Sequence, residues 1–408
     1  MIRILPVSEA DLVRARKTRL LSDAEAVVAP IIADVRKRGD AALLDYARKF
    51  DGFDGDSVQI QPTGVLAPEF EQAIERAAHN IRQFAEMQLP QEKMLEFSAG
   101  RRLGQVVRPI ASMGAYVPAG RYPLPSTLLM TIIPAQVAGV PMTCVACPRP
   151  SAEILGTASK LGVSKFFCIG GAQAIAAFAF GTETVPRVER IVGPGNVYVA
   201  AAKKLISGES AIDFIAGPSE VLIIAEDGNP VWIAADMLAQ SEHDVDASAI
   251  LLTTSSSLAH AVQAEIEMQL ADLSTASTAR ASIDNNGAIV LCETIAQALE
   301  FSDSLAPEHL VLHEASWLAG ITNAGSVFLG PFSPEAAGDY ASGPNHVLPT
   351  SGQARVRGGL SAADFVKVIS VQELSAGGLR ELVPTITTIA RAEGLEAHAR
   401  SVEVRRDT

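Results

Sequence analysis

Cysteine is scarce. Four residues (Cys144, Cys147, Cys168 and Cys292) in 408 do not make a disulfide framework. Cys144 and Cys147 form a lone C-x-x-C, but the segment MTCVAC reads as a strand, where positions three apart face opposite ways. Buried apolar cysteine is the better reading. Basic charge is also short: 33 Lys and Arg stand against 46 Asp and Glu, a net charge of -13 that disfavours nucleic acid and anionic membrane as partners. The amino terminus, MIRILPVSEADLVRARK, has no apolar core of a secretory signal. The most apolar stretch, 128–147, is interrupted by Pro134, Gln136, Gly139 and Pro141, and reads as a buried helix, a stop and a buried strand. The chain therefore reads as cytoplasmic. Low-complexity linkers, short-period repeats and the G-x-G-x-x-G dinucleotide fingerprint are all missing.

What remains is globular, with 48% hydrophobic and 19% charged residues, and too long for one ordinary core. Apolar spacing predicts helices over 23–38, 41–49 and 68–89 in the first hundred residues. From about Ser112 strands and helices alternate. An apolar run at 114–117 leads to a helix opened by Ser126, then strands at 143–147, 165–169 and 190–192 with helices between them. A second alternating series begins near Val221 with VLIIAE and continues through a helix at 230–243, SAILLTT, AIVLC, HLVLH and SVFLG. This alternation predicts an α/β fold of two Rossmann-like, doubly wound parallel-sheet domains, with a helical N-terminal region and a small helical C-terminal tail. The expected division groups 1–111 with 221–361 as a discontinuous domain, sets 112–220 as the second, and leaves 362–408 as the tail.

Two strand-to-helix turns are glycine-rich, Gly170-Gly171-Ala172-Gln173 and Gly193-Pro194-Gly195-Asn196. Such turns let backbone N–H groups approach a phosphate, although a merely tight turn explains them equally well. The densest polar cluster is DMLAQSEHDVD, in which Gln240 and His243 are spaced to share a helical face and a metal. A hydrated acidic helix end would explain an isolated Q-x-x-H, but three more clusters of ligand-type residues follow. APEHL sets Glu308 and His309 at the start of a buried strand. GDYASGPNHVLPT embeds Asp339 and His346 among glycine and proline, and AEGLEAHARS carries Glu393 and His398. Four of the seven histidines fall in these clusters, whereas His79, His260 and His313 have no such company. The pattern points to a metal-assisted enzyme with a histidine base.

Taken in order, GPGN, AGPSEVL, the Q-x-x-H-D cluster, APEHL, GDYASGPNHVLPT and E-x-x-x-x-H resemble the histidinol dehydrogenase family from about Leu20 to Val404. The resemblance implies zinc held by Gln240, His243, Asp339 and His398, and NAD contacted by Tyr116, Gln173 and Asn196. It implies that Ser126, Ser219, His346 and Glu393 join Gln240, His243, His309, Asp339 and His398 around L-histidinol, with Glu308 and His309 as the catalytic pair. The implied reaction is a four-electron oxidation of L-histidinol to L-histidine through histidinal, the last steps of histidine biosynthesis. The implied assembly is a homodimer in which the helical tail of one subunit completes the site of the other. Two departures stand out: the chain ends soon after the last matched ligand, and Ala119-Gly120 replaces the family's glycine pair after Tyr116.

Gln, His, Asp and His make an unusual zinc shell that can accept further ligands, so zinc is expected to position substrate more than to polarise the alcohol. His309 is the expected base of the alcohol oxidation and Glu308 the group that activates water on the aldehyde. No cysteine lies in the clusters, which argues against a thiohemiacetal route. The rival activity is that of a sister dehydrogenase acting on a sulfonated diol, whose substrate would not need Glu393 and His346 in these roles. The rival from another class is a zinc-stabilised binding protein without chemistry, on which the Glu308-His309 pair is hard to explain.

Overall fold

The computed structural model describes residues 1–9, 20–119 and 122–405; Gly120 of the departing loop lies outside them. The chain opens with β1 (Arg3–Pro6), α1 (Leu20–Arg38), α2 (Asp40–Tyr46), β2 (Gln59–Ile60), α3 (Pro68–Met87), β3 (Lys93–Ser98) and β4 (Arg101–Pro109). An alternating stretch follows: β5 (Ser112–Tyr116), α4 (Pro125–Val137), β6 (Met142–Ala146), α5 (Ala152–Lys160), β7 (Lys165–Phe167), α6 (Gly171–Phe180), β8 (Arg190–Val192), α7 (Val197–Ile206) and β9 (Ala211–Ile212). A second stretch holds β10 (Glu220–Ile224), α8 (Pro230–Ser241), β11 (Ser248–Thr253), α9 (Ser256–Asp272), α10 (Ala276–Asn286), β12 (Ala288–Leu291), α11 (Ile295–Leu305), β13 (His309–Leu312), β14 (Ser326–Leu329) and α12 (Glu335–Tyr340). The end comprises β15 (Val366–Leu374), α13 (Ala376–Ala392) and α14 (Glu396–Glu403).

Two six-stranded sheets dominate, ordered β1-β12-β11-β10-β13-β14 and β2-β7-β6-β5-β8-β9. Every pairing in the first is parallel, and in the second only β2 runs antiparallel. The strands behave as parallel strands covered on both faces should: β10 and β11 are buried throughout and read as continuous apolar runs. The C-x-x-C follows the same logic. Cys144 joins the core on one face of its sheet and Cys147 the core on the other, and burial pushes both thiols up to about 12. In α4, the residues from Leu128 to Ile133 are all buried, each large apolar side chain contributing ~1.5–3 kcal/mol relative to exposure. Among the described residues no helix is long and apolar enough to cross a membrane.

The helical amino-terminal region and tail are present with strands added to each, and one expected grouping needs correcting. The amino-terminal hundred residues are not only helical: β1 is an edge strand of the first sheet, and β3 and β4 form a hairpin. The tail is not wholly helical either, because β15 pairs along all of β4 and completes a three-stranded antiparallel sheet. These strands are largely solvent-facing or short, so they lack the buried runs that identified the others. Finally, residues 20–87 do not group with 221–361. Ala24, Val28 and Leu43 enter the core on one face of the second sheet, and Ile74, Ala77 and Ile81 enter the core on the other. Among the described residues the segment at β1 crosses over, with Ile2 joining one core of the first sheet and Leu5 and Val7 packing against the other.

Candidate active site

The second sheet reverses its winding at β5: β6 and β7 are added on one side, β8 and β9 on the other. Ligand crevices of doubly wound sheets open at the carboxyl ends of strands at such a switch point. Tyr116 ends β5 and the 193–196 turn follows β8, so two of the three expected cofactor contacts flank the crevice. The first sheet meets the site by its opposite edge. His309 opens β13 beside Val221 of β10, which puts Glu308, His309 and Glu220 at the amino ends of their strands. The segment 213–220 runs from β9 to that amino edge.

Burial and bonding fix the Glu308-His309 pair tightly. Glu308 is 5% exposed, and its Oε2 accepts from Ser219 Oγ at 2.7 Å and from the Glu220 N–H at 2.8 Å. Burial pushes its carboxyl above the ordinary value. His309 Nδ1 donates to the Glu220 carbonyl at 3.2 Å, leaving Nε2 with no hydrogen bond and 3.6 Å from Asp339 Oδ1. A hydrogen bond at one ring nitrogen sets the tautomer and leaves the other as the base. Burial works against a proton on this imidazole. The carboxylates of Glu335, Glu308 and Asp339 outweigh it and push the pKa up to about 10.

Asp339 links Nε2 to a group of polar side chains, and several of the buried ones have unfinished bonding. Gln240, in the last turn of α8, is fully buried with neither amide atom bonded. His243 lies just past the end of α8, which stops at Ser241, short of the predicted 243, and its Nε2 is 3.9 Å from Asp339 Oδ2. Burial alone would raise the Asp339 carboxyl, but the adjacent His309 lowers it. His346 Nδ1 donates to the Asp339 carbonyl at 2.9 Å, and burial pulls its pKa down. The sequence reading missed Glu335. It opens α12 four residues before Asp339, is 1% exposed, and carries an unbonded Oε2. The E-x-x-x-D spacing, one face of a helix, could have revealed it. One ligand atom from each of His243, Glu335 and Asp339 lies within 4.8 Å of the others. Buried polar atoms without partners cost the fold free energy, so the arrangement fits a bound cation and a polar ligand. Nitrogen and oxygen donors suit zinc.

The glycine turns are built the other way. The Gly171 N–H donates to the Tyr116 hydroxyl at 3.2 Å, and the Gly170 N–H is met by the Asp51 carboxylate. Burial pushes the Tyr116 phenol up to about 12. Asn196 caps α7, its Oδ1 accepting from the N–H groups of Tyr198 and Val199 at 3.1 and 3.2 Å. The protein therefore bonds several N–H groups that a phosphate cradle would leave free, in keeping with the missing fingerprint. Gln173 lies buried in the first turn of α6.

Ser219 joins the pair directly through Glu308. Ser126 is buried in the first turn of α4, the helix that Asn345 reaches through the Met130 carbonyl at 2.6 Å. Glu393 and His398 are exposed on the α13–α14 helix pair and are not among the residues that gather at His243, Glu335 and Asp339. Their backbone N–H groups bond within that pair, Glu393 to the Ile389 carbonyl and His398 to the Leu395 carbonyl.

Two parallel α/β units meeting over a buried histidine–carboxylate pair and a cation-ready cluster define an α/β enzyme with a candidate metal centre. The comparisons narrow the class. A profile of the histidinol dehydrogenase family matches residues 14–406. Histidinol dehydrogenase of Geobacter sulfurreducens is 47% identical over 400 residues, covering 94% of this chain and 93% of the relative. That of Methanosarcina barkeri is 44% identical over 432 residues, covering 99% and 98%. The crystal structure of histidinol dehydrogenase from Elizabethkingia anophelis matches with a TM-score of 0.95 at 38% identity, covering 99% of this chain and 98% of that one. The chain belongs to the histidinol dehydrogenase family.

Proposed function

We propose that this enzyme oxidises L-histidinol to L-histidine through bound histidinal, using zinc and two equivalents of NAD. The observation that carries the reading is His309: a buried imidazole with Nδ1 tied to the Glu220 carbonyl and an unbonded Nε2 open toward Asp339. Gln240, His243 and Asp339 would hold the metal, with His398 as the fourth ligand. Bound there, zinc supplies positive charge that engages the imidazole and amine of histidinol and offsets the surrounding carboxylates. NAD, when bound, supplies the hydride acceptor for each oxidation.

The chain's own residues handle the protons. Once that positive charge offsets the carboxylates that otherwise keep His309 protonated, its Nε2 takes the alcohol proton in the first oxidation and a hydroxyl proton of the hydrate in the second. In the second, Glu308 removes a proton from the water that adds to the aldehyde. Its Oε2 is occupied by Ser219 and the Glu220 N–H, so the other carboxylate oxygen faces this task. The four buried cysteines have their thiols pushed up to between about 11 and about 12 by burial, which disfavours a thiolate mechanism.

We also propose a cytoplasmic homodimer in which Glu393 and His398 serve the partner's site. Their exposure on the α13–α14 pair supports it. So do the apolar side chains Leu95, Phe97, Val368 and Ile369, exposed on the three-stranded sheet that anchors the pair. The deciding assay counts NADH formed per histidinol consumed on zinc-loaded protein. Two per histidine supports the proposal, and preference for a sulfonated diol overturns it.

A further inference from the structure

We propose that the buried Lys203–Asp213 ion pair is a positioning device for the cofactor turn. It holds residues 193–196, and through them Asn196, in the geometry that the cofactor needs. The inference rests on the reading of Asn196 as a contact of NAD.

Lys203, on α7, and Asp213, after β9, are only 3% and 1% exposed in their side chains. Lys203 Nζ donates to Asp213 Oδ1 at 2.7 Å and to the Gly193 carbonyl at 2.5 Å. Asp213 Oδ2 accepts from the Gly193 N–H at 2.8 Å. One ion pair thus clamps both the N–H and the carbonyl of a single glycine. That glycine has no freedom of its own to be elsewhere. Its φ is +111°, and a Cβ would sit 2.2 Å from the Tyr116 carbonyl oxygen, so the turn is pressed against the end of β5. Tyr116 and Asn196 are thereby set on either side of one crevice.

Stability does not account for such a pair, since desolvating two charges offsets most of their attraction and well-packed apolar residues do as well or better. What the pair adds is direction. Two apolar side chains in its place could fill the space, but they could not bond the peptide groups of Gly193. The same aspartate begins the segment that reaches the catalytic edge. Arg357, itself paired to Asp364 at 3.0 Å, donates to the Asp213 carbonyl. Gln353 Nε2 donates to the Ile215 carbonyl at 2.5 Å, and the Gly217 N–H donates to Thr350 Oγ1 at 2.5 Å. The segment ends where Ser219 and Glu220 bond Glu308. The cofactor turn and the catalytic carboxylate are therefore referenced to one strap pinned at both ends and in the middle.

The test uses the full-length, zinc-loaded enzyme, with NAD affinity measured by calorimetry and by steady-state kinetics. Asn196→Ala reports on the underlying site. Lys203→Met combined with Asp213→Asn removes the clamp without leaving one buried charge unpaired. Asp213→Glu keeps the charge but displaces it by a methylene, and serves where the double variant folds poorly. Either clamp variant should weaken NAD by about ten-fold or more, with zinc content and the KM for histidinol within about two-fold of the parent. Adding Asn196→Ala to the clamp variant should cost little more, because both act on one contact. A folded clamp variant with unchanged NAD affinity, or losses that simply add, would overturn the proposal. If Asn196→Ala itself leaves NAD binding untouched, the reading of the cofactor site falls instead.

Discussion

The amino edge of the first sheet and the carboxyl edge of the second both present polar side chains to the same site, yet they are finished to different degrees. At the first, Gln240, Glu335 and His309 bury polar atoms with no partner. At the second, Gly171, Gly193, Tyr116 and Asn196 have their bonds closed within the protein. Unfinished bonds cost stability until a ligand supplies the missing partners. Closed bonds cost nothing and leave a ligand only shape and outward-facing groups. The difference predicts tight, stability-coupled binding of the metal and substrate at one edge. At the other it predicts looser binding of the proposed cofactor, which on the proposed two-step reaction leaves and is replaced between the oxidations.

The largest test of this contrast is at the catalytic pair. His309→Asn should lose about 10²–10⁴-fold in both oxidations, because the open base is gone from each. Glu308→Gln should retain the first oxidation and stall at the aldehyde. Single-turnover NADH formation on histidinol and, separately, on histidinal measures both. Equal losses in Glu308→Gln would break the division of roles.

Assembly gives the next effect. If Glu308 and His398 of one site come from different chains, mixing inactive Glu308→Gln and His398→Asn subunits should regenerate about a quarter of the sites. No recovery after exchange confirmed by mass spectrometry would place the site within one chain.

Stability should distinguish the two edges by sign. Burial raises the Glu335 carboxyl from its ordinary 4.5 to about 8. A raised carboxyl pKa leaves the folded state unaffected at pH below 4.5, and penalises it progressively up to about 8 and fully above. In metal-free protein Glu335→Gln should therefore raise the melting temperature at pH above about 8, by an amount that shrinks to nothing toward pH 4.5. Asp213→Asn, at the finished edge, should lower it at the same pH by leaving Lys203 unpaired, roughly 3–5 kcal/mol. Melts of both variants across that pH range provide the comparison, and a shift of the same sign in both would erase the contrast. Metal removal should lower the melting point of the parent and abolish turnover with little loss of helix content.

The smallest effect lies just before the catalytic pair. Ala306 ends α11 at φ 53°, a left-handed conformation two residues upstream of Glu308. Ala306→Gly should stabilise the chain by ~0.5–1 kcal/mol if that geometry is strained. Denaturant unfolding measures it, and a lower midpoint would show that no strain is stored there.

Much of the molecule is legible in the chain because the signal is local. The runs VLII and SAILLT declare buried parallel strands by themselves, and the Q-x-x-H and E-H spacings declare ligand-type clusters. The polar motifs, read in order, carry the family. Glu335 escaped notice because PEAAGDY is unremarkable as a helix start, and its role appears only when α12 docks its burial face beside His309. Lys203 and Asp213 lie ten residues apart, and nothing local in the sequence marks them as a buried pair. The antiparallel sheet joins β4 to β15 across more than 250 residues, a pairing no window of sequence contains.

By itself, then, the sequence determined which segments must be buried, which side chains are equipped for metal and proton chemistry, and the family whose order of motifs they follow. Hydrophobic periodicity and side-chain chemistry are properties of neighbouring residues, so they survive in one dimension. Which edge of each sheet faces the site, which polar atoms are left unbonded, and which charges pair in the interior were decided only by the tertiary structure. Those outcomes depend on how distant elements exclude water from one another, and burial converts an ordinary Glu335 or Lys203 into a group that must find a partner.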